Sequence, residues 1–200
     1  MKEIKDFINF SLQRIIPGPF LINDDGLIKA VFEETVLDFR YHSPKKPKDD
    51  VKKDILRNSG GLPVFLYRLV RKMHCQGYSD DDKYQVHFLM KVLCGCELYW
   101  SSQIGEGLQI MHGLGTVIGS RNTIGKGFRI YQGCTVGQKG VKQKEKGVII
   151  GNNVTLFSNS QILGEITIGN DVTIGANSLV LNDIKSGLVA AGSPAKQIKK

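Results

Sequence analysis

"TIGNDVTIGANS", residues 167–178, contains the pair isoleucine-glycine twice, at an interval of six residues. An α-helix repeats at about 3.6 residues and a β-strand at about two, so neither explains this interval. The same interval extends in both directions along the chain. Its apolar positions are Ile150, Leu156, Ile162, Ile168, Ile174 and Val180. A fixed short repeat of this kind is typical of a solenoid.

Two further patterns support the same architecture. A small or aliphatic residue follows four positions after each apolar one: Val154, Ser160, Ile166, Val172, Ser178 and Ile184. An earlier block, with Ile104, Ile110, Ile118, Ile124, Ile130 and Val136, keeps the interval except for a two-residue slip between Ile110 and Ile118. Three hexads form one triangular coil, whose corners suit Gly, Asn and Asp because these accept left-handed backbone. We therefore predict a parallel β-helix.

The two halves of the chain differ in composition. Residues 101–200 hold 17 of the 23 glycines and a net charge of +6, whereas residues 1–100 carry +2. Excess positive charge near the repeats favours an anionic partner, and we find no nucleic-acid-binding motif. The N-terminus has no apolar signal segment, and no apolar run is long enough to span a membrane. We therefore expect a cytoplasmic protein with reduced cysteines.

The N-terminal half carries the helical patterns. We predict helices at residues 4–16, 25–39, 62–74 and 79–93, the last opened by a capping box from Ser79 to Asp82. Residues 43–53 read as a solvated connector whose lysines lie on the surface. His74 and His87 fall within helices and are interpreted as packed or surface residues.

Residues 95–198 resemble the left-handed β-helix acetyltransferases and, within them, the serine acetyltransferase group. The segments that carry the resemblance are "GCELYWSSQIGEGLQIMHGLGTVIG" (95–119), "IYQGCTVG" (130–137), "ILGEITIGNDVTIGANSLVL" (162–181) and "AAGSPAK" (190–196). The resemblance implies an α+β chain: a helical domain at residues 1–94, then a left-handed β-helix acyltransferase domain at 95–200 with a short C-terminal tail.

The resemblance also implies direct acetyl transfer from acetyl-CoA to an acceptor hydroxyl. His112 matches the family's catalytic histidine and is the only histidine in the repeat half. A neutral imidazole can act as general base near pH 7. Glu97 stands fifteen residues earlier, where the serine enzymes have an aspartate that orients the histidine. We expect no metal, because the repeats lack the several histidines that a zinc site requires.

The family resemblance implies a cofactor groove between neighbouring coils, shared by the subunits of a homotrimer, which could pair further into a dimer of trimers through the helical region. The residues implied to contact acetyl-CoA are Gly137, Ser158, Gly175, Ala176, Lys185, Ser193, Pro194 and Lys196.

The acceptor positions depart from the serine acetyltransferase pattern. Met111 replaces the aspartate that precedes the catalytic histidine, and Lys146-Gly147 replaces an Arg-His pair that binds the serine carboxylate. An amino acid needs an acid for its ammonium group and a cation for its carboxylate. We therefore expect an uncharged acceptor, a sugar of a surface polysaccharide or its precursor. Serine O-acetylation, N-acetylation of an amino sugar, a β-helix metalloenzyme and a non-catalytic scaffold are the alternatives.

Overall fold

The computed structural model describes residues 1–57, 60–140 and 146–198. Five helices occupy the N-terminal part of these ranges: α1 (Lys2–Ile15), α2 (Asp25–His42), α3 (Lys48–Leu56), α4 (Gly61–Cys75) and α5 (Asp80–Cys94). The cap predicted at Ser79 is confirmed, because its side chain accepts a hydrogen bond from the backbone N–H of Asp82. Among the described residues, no helix combines the length and apolar character needed to cross a bilayer.

Helix α3 is the element that the sequence analysis missed. It begins within the segment that we expected to be a solvated connector, and its side chains Val51 and Ile55 are buried. These two residues are four positions apart and therefore lie on one helical face. The charges of the segment concealed this short apolar pair, so the connector interpretation was wrong for these residues.

The strands are short and follow the repeats. They are β1 (Glu97–Leu98), β2 (Gln103–Ile104), β3 (Gln109–Met111), β4 (Val117–Ile118), β5 (Thr123–Ile124), β6 (Arg129–Tyr131), β7 (Thr135–Gly137), β8 (Ile149–Ile150), β9 (Thr155–Leu156), β10 (Gln161–Leu163), β11 (Thr167–Ile168), β12 (Thr173–Ile174), β13 (Leu179–Val180), β14 (Val189–Gly192) and β15 (Ala195–Ile198). Every third strand pairs in parallel, giving three faces ordered β1-β4-β7-β10-β13, β2-β5-β8-β11 and β3-β6-β9-β12-β14. The antiparallel strand β15 closes the third face.

The interior of this prism is the apolar stack that the hexads predicted. In register on one face, Ile110 pairs with Ile130 and Ile130 with Leu156. The apolar residue of every hexad named above is buried. The parallel β-helix is therefore confirmed.

The two-residue slip lengthens one corner of the prism. Residues 112–116 connect β3 to β4, whereas residues 132–134 connect the corresponding strands β6 and β7 of the next coil. Residues 137–148 also interrupt the six-residue interval, which predicts an outward loop between β7 and β8. Of this segment, residues 141–145 lie outside the described residues.

The helices cover the open end of the prism. The first coil has no preceding coil to satisfy its backbone groups, so side chains from α2 and α4 do so. The Arg68 guanidinium donates to the carbonyls of Ile104 and Gly105, both at 2.7 Å. The Asp38 carboxylate accepts from the backbone N–H groups of Gly107 and Leu108 at 2.8 and 3.0 Å.

Asp38 and Arg68 also bind each other through two hydrogen bonds of 2.8 and 2.7 Å. Both side chains are almost fully buried, Asp38 being 1% exposed. Next to them, the Tyr67 hydroxyl donates to the carbonyl of Ser102 and accepts from the N–H of Ile104. This network fixes the first coil, and hence the start of β3, relative to the helices.

Candidate active site

His112 lies at the lengthened corner, directly after β3. Its side chain is exposed to solvent and is not packed inside the prism. Its backbone has a φ of +63°, in the left-handed region. The other non-glycine residues with positive φ are mostly Asn or Asp, which adopt this region more readily than other side chains. An uncommon conformation of this kind is often found at functional sites.

A cavity of about 500 Å³ surrounds His112. It is lined by Gly60, Pro63, Cys94, Ile110, Met111, His112, Gly113 and Leu114. Both halves of the chain contribute, since the first three belong to the helical part. Among the described residues of this lining, none carries a carboxylate, an ammonium or a guanidinium group, and His112 carries the one imidazole. The imidazole is therefore the group in this cavity that is suited to general base catalysis.

Gly60 holds α4 close to β3, and we expect its substitution by alanine to impair activity. Its φ is +82°, and a Cβ atom there would lie 2.9 Å from the carbonyl oxygen of Ile110. The collision would displace β3 and the histidine that follows it. Gly77→Ala is the matched control, because its φ is +76° and its Cβ would meet nothing within 4 Å. We expect both variants to lose about 1–2 kcal/mol of stability from backbone strain, measured by urea unfolding, and Gly60→Ala alone to lose acetyl transfer. Equal activity in the two variants would contradict this.

Cys94 is the thiol in the cavity wall, and it pairs with Cys96. Hydrogen bonding to Cys96, together with burial, raises the pKa of the Cys94 thiol far above its usual range. The thiol form is a poor nucleophile. Burial and this hydrogen bond therefore favour the neutral thiol of Cys94.

Glu97 lies in β1, next to the His112 corner, but its carboxylate has other partners. Its backbone N–H donates to the carbonyl of Thr116. Its carboxylate lies 2.8 Å from the Lys91 ammonium and 3.6 Å from the His87 ring. Within the described residues, no hydrogen bond joins Glu97 to His112. The predicted pairing of these two side chains stays a prediction.

His87 is buried under Tyr99 and Trp100, as the interpretation of a packed histidine predicted. Burial lowers its pKa to about 4. The ring is therefore neutral at pH 7 and does not compete as a cation for the Glu97 carboxylate.

The corner that carries His112 continues down the prism as a column of small or polar residues. The β3–β6 and β6–β9 registers, continued past the strand ends, place Gln132 and Ser158 below His112 on successive coils. The N–H of Asn177 donates to the carbonyl of Ser158, so Ala176 follows in the same column. The predicted cofactor residues of this column, Ser158 and Ala176, are half-buried and exposed respectively.

The other predicted cofactor residues divide between this column and two other corners. Gly175 precedes Ala176, and Ser193 and Pro194 follow β14 at the same edge, while Lys196 lies on β15. Gly137 lies at the corner between the first and second faces, and Lys185 lies at the third corner. Lys146, which was predicted to bind the acceptor and not the cofactor, lies at the same corner as Gly137. Within a single chain, the predicted residues at Ser158, Gly175, Ala176, Ser193 and Pro194 therefore lie along the same edge as His112. Gly137, Lys146 and Lys185 lie at other corners.

A second cavity of about 260 Å³ adjoins the first across Met111. It is lined by Asp38, Phe39, His42, Lys46, Asp54, Gly60, Val64, Leu108, Gln109, Ile110 and Met111. The lysines of this region were expected on the surface, and none of these helical residues was predicted to belong to a site. Two residues in the sequence could have indicated this site. Asp38 and Arg68 are charged residues within the apolar patterns of α2 and α4, and a charge in such a position requires a buried partner.

Comparison with known proteins adds to this geometry. A family model described as bacterial transferase hexapeptide (six repeats) matches residues 147–182. A serine acetyltransferase of Helicobacter pylori is 34% identical over 170 residues, which span 82% of this chain and 99% of that protein. The chain belongs to the serine acetyltransferase family. A Synechocystis serine acetyltransferase is 33% identical over 82% of this chain and 66% of its own length.

Solved structures of serine acetyltransferases share the fold. That of the Neisseria gonorrhoeae enzyme superposes with a TM-score of 0.78 at 22% identity, covering 98% of this chain and 79% of its own. The soybean enzyme complexed with serine superposes with a TM-score of 0.76 at 21% identity, covering 97% of this chain and 84% of its own. The chain is thus a left-handed β-helix acetyltransferase, and acetyl-CoA is the acetyl donor of this family.

Proposed function

We propose that this acetyltransferase transfers the acetyl group of acetyl-CoA to the hydroxyl of L-serine. The observation that carries this proposal is the match to a protein named serine acetyltransferase along 99% of that protein's length. It replaces the sugar acceptor that the sequence analysis preferred, which the comparisons do not support. Serine O-acetylation was the alternative named there.

In this proposal His112 is the general base. Its exposed ring lines the larger cavity, where it can accept the proton of the acceptor hydroxyl as that oxygen attacks. Bound acetyl-CoA supplies the electrophilic thioester. The imidazolium then returns its proton to the departing sulfur, so the ring is neutral again after one turnover. Glu97 would stabilise the imidazolium if its carboxylate exchanged Lys91 for His112.

Acetyl-CoA would lie along the column below His112. Support comes from the small, accessible residues Ser158, Gly175 and Ala176, which allow close approach of a flexible chain to the backbone. Ser193 and Pro194 would contact the far end, with Lys196 as a phosphate partner.

Gly137 and Lys185 reach acetyl-CoA, and Lys146 reaches the acceptor, only if another protomer supplies them. A homotrimer, in which one corner of each prism faces the next protomer, would satisfy this requirement. Apolar side chains at Tyr84, Phe88 and Val92 recur every four residues on the exposed face of α5 and would suit a further contact between protomers.

The domain boundary and the cellular location are also proposed. We propose a boundary between residues 94 and 95, where α5 ends before Gly95. We also propose cytoplasmic placement, which the four free cysteines support because reducing compartments keep thiols unpaired.

A sugar hydroxyl is the second candidate acceptor. Met111 favours it, because an apolar side chain stands beside the base where an amino acid's ammonium group would need an acid. A polysaccharide precursor would then present a single hydroxyl to His112. Amino-sugar N-acetylation would use the same base.

A panel of acceptors decides between these candidates. Purified full-length protein is incubated with acetyl-CoA and L-serine, hexoses, amino sugars or nucleotide sugars, and thiol release is followed. We expect kcat/KM for L-serine to exceed that of each sugar by about 100-fold or more, because polar groups built to bind one substrate strongly reject analogues that lack its partners. The product mass and its cleavage by hydroxylamine identify an ester. Efficient turnover of a sugar with none of serine would overturn the proposal.

A further inference from the structure

The second cavity contains one acid and one cation close together at its polar end. The Lys46 ammonium lies 2.8 Å from a carboxylate oxygen of Asp54, and the two side chains are 28% and 25% exposed. The loop that carries Lys46 is fixed, since the Arg40 side chain donates to the Lys46 carbonyl at 3.2 Å. The ammonium also lies 4.9 Å from the centre of the Phe39 ring. Both charges are therefore held in place, partly desolvated and still reachable.

Two further titratable side chains line this cavity, Asp38 and His42, and both bind groups of the protein. Asp38 is bound by Arg68 and by two backbone N–H groups. His42 has its Nε2 atom 2.8 Å from the carbonyl of Gly107 and its Nδ1 atom 2.9 Å from the Arg129 guanidinium. This arrangement requires a neutral His42 that donates from Nε2 and accepts at Nδ1. Burial likewise lowers the pKa of His42.

We propose that the Lys46–Asp54 pair determines acceptor specificity, with Asp54 binding the ammonium group of L-serine and Lys46 binding its carboxylate. This inference rests on the proposed function. The two cavities share Gly60, Ile110 and Met111, so a serine bound at the pair would lie in a space that adjoins the cavity around His112. Two opposite charges on one ligand then face two opposite charges on the protein, an arrangement that favours the zwitterion over singly charged analogues.

The Lys46–Asp54 pair also supplies the two kinds of charge that the acceptor positions in the β-helix lack. Met111 and Gly147 lack the acid and one of the cations that the serine acetyltransferase pattern supplies near the base. The loop between α2 and α3 brings the cation Lys46, and α3 brings the acid Asp54, to the cavity that adjoins the first across Met111. Recognition of the amino acid is thereby moved from the β-helix to the helical part of the chain.

The test compares L-serine with two analogues that each lack one charge. Serinamide has no carboxylate, and 3-hydroxypropanoate has no ammonium group. We expect Lys46→Met to reduce the preference for serine over serinamide about 10-fold to 100-fold, the effect of one charge-assisted hydrogen bond, and to leave the preference over 3-hydroxypropanoate. Asp54→Asn should reduce the preference for serine over 3-hydroxypropanoate and leave the preference over serinamide. A general structural defect would lower turnover of all three acceptors together.

Matched controls come from a neighbouring ion pair. The Lys48 ammonium of α3 lies 2.6 Å from a carboxylate oxygen of Glu33 in α2, and the two side chains are 47% and 46% exposed. Neither residue lines either cavity. Lys48→Met and Glu33→Gln should keep both preferences. The exchanged variant Lys46→Asp with Asp54→Lys keeps an opposite-charge pair for folding but presents each charge to the wrong group, so both preferences should fall.

The outcomes separate the two proposals. Wild-type protein that acetylates no serine removes the proposed function itself. Wild-type protein that prefers serine to both analogues, with the same preferences kept in Lys46→Met, Asp54→Asn and the exchanged variant, overturns the role of the pair and leaves the proposed function standing.

Discussion

Replacing His112 with alanine is expected to lower kcat for acetyl transfer by about 10²–10⁴-fold, the usual contribution of a positioned general base. An alcohol is a weak nucleophile at neutral pH, and among the described residues that line the cavity around His112, none carries a carboxylate or a second imidazole. The imidazole does not hold the prism together, because its side chain is exposed. We therefore expect KM values and the free energy of unfolding to change little, as measured by steady-state kinetics and urea unfolding.

His74→Ala is the matched control for this substitution. His74 is an exposed histidine of α4 outside both cavities, so its loss should leave kcat unchanged. Added imidazole should restore part of the activity of His112→Ala, because the truncated side chain leaves room for it in an open cavity. Undiminished turnover in a folded His112→Ala protein would remove this residue from the mechanism.

The β-helix and its lengthened corner could be predicted because residues close together in the sequence determine both. A coil interior needs one apolar residue in each hexad, and Ile104 to Val136 and Ile150 to Val180 supply it in consecutive order. The slip after Ile110 marks a corner that is lengthened by two residues, and the resemblance of the segment around it to the acetyltransferases identified His112.

The helical side of the site could not be predicted in this way. Asp54 and Lys46 reach Met111 only through the packing of α2, α3 and α4 against β3, and nothing in their spacing along the chain encodes that packing. The pattern of charges around Val51 even argued against a helix there. Likewise, Glu97 matches a family position in sequence, while its side-chain partners depend on where α5 places Lys91 and His87.

The largest effect on stability is expected from Arg68→Met, which should lower the free energy of unfolding by about 3–5 kcal/mol, the usual effect of leaving one buried charge without its partner. The substitution removes the hydrogen-bond donor of the Asp38 carboxylate and of the carbonyls of Ile104 and Gly105 at the same time. Urea unfolding measures the loss. Arg71→Met is the matched control on the same helix, because Arg71 makes one hydrogen bond, to the carbonyl of Trp100, and should cost only about 1 kcal/mol.

The double variant Arg68→Met with Asp38→Leu tests why this pair is present. Where two buried charges serve only each other, replacing both by apolar residues is often neutral or stabilising. Here the pair also satisfies four backbone groups of a coil that has no preceding coil: the carbonyls of Ile104 and Gly105 and the N–H groups of Gly107 and Leu108. The double variant should therefore stay at least as unstable as Arg68→Met, and it should also lose acetyl transfer, since β3 leads directly to His112. A double variant as stable as the wild type would mean that the open edge of the prism does not depend on the helices.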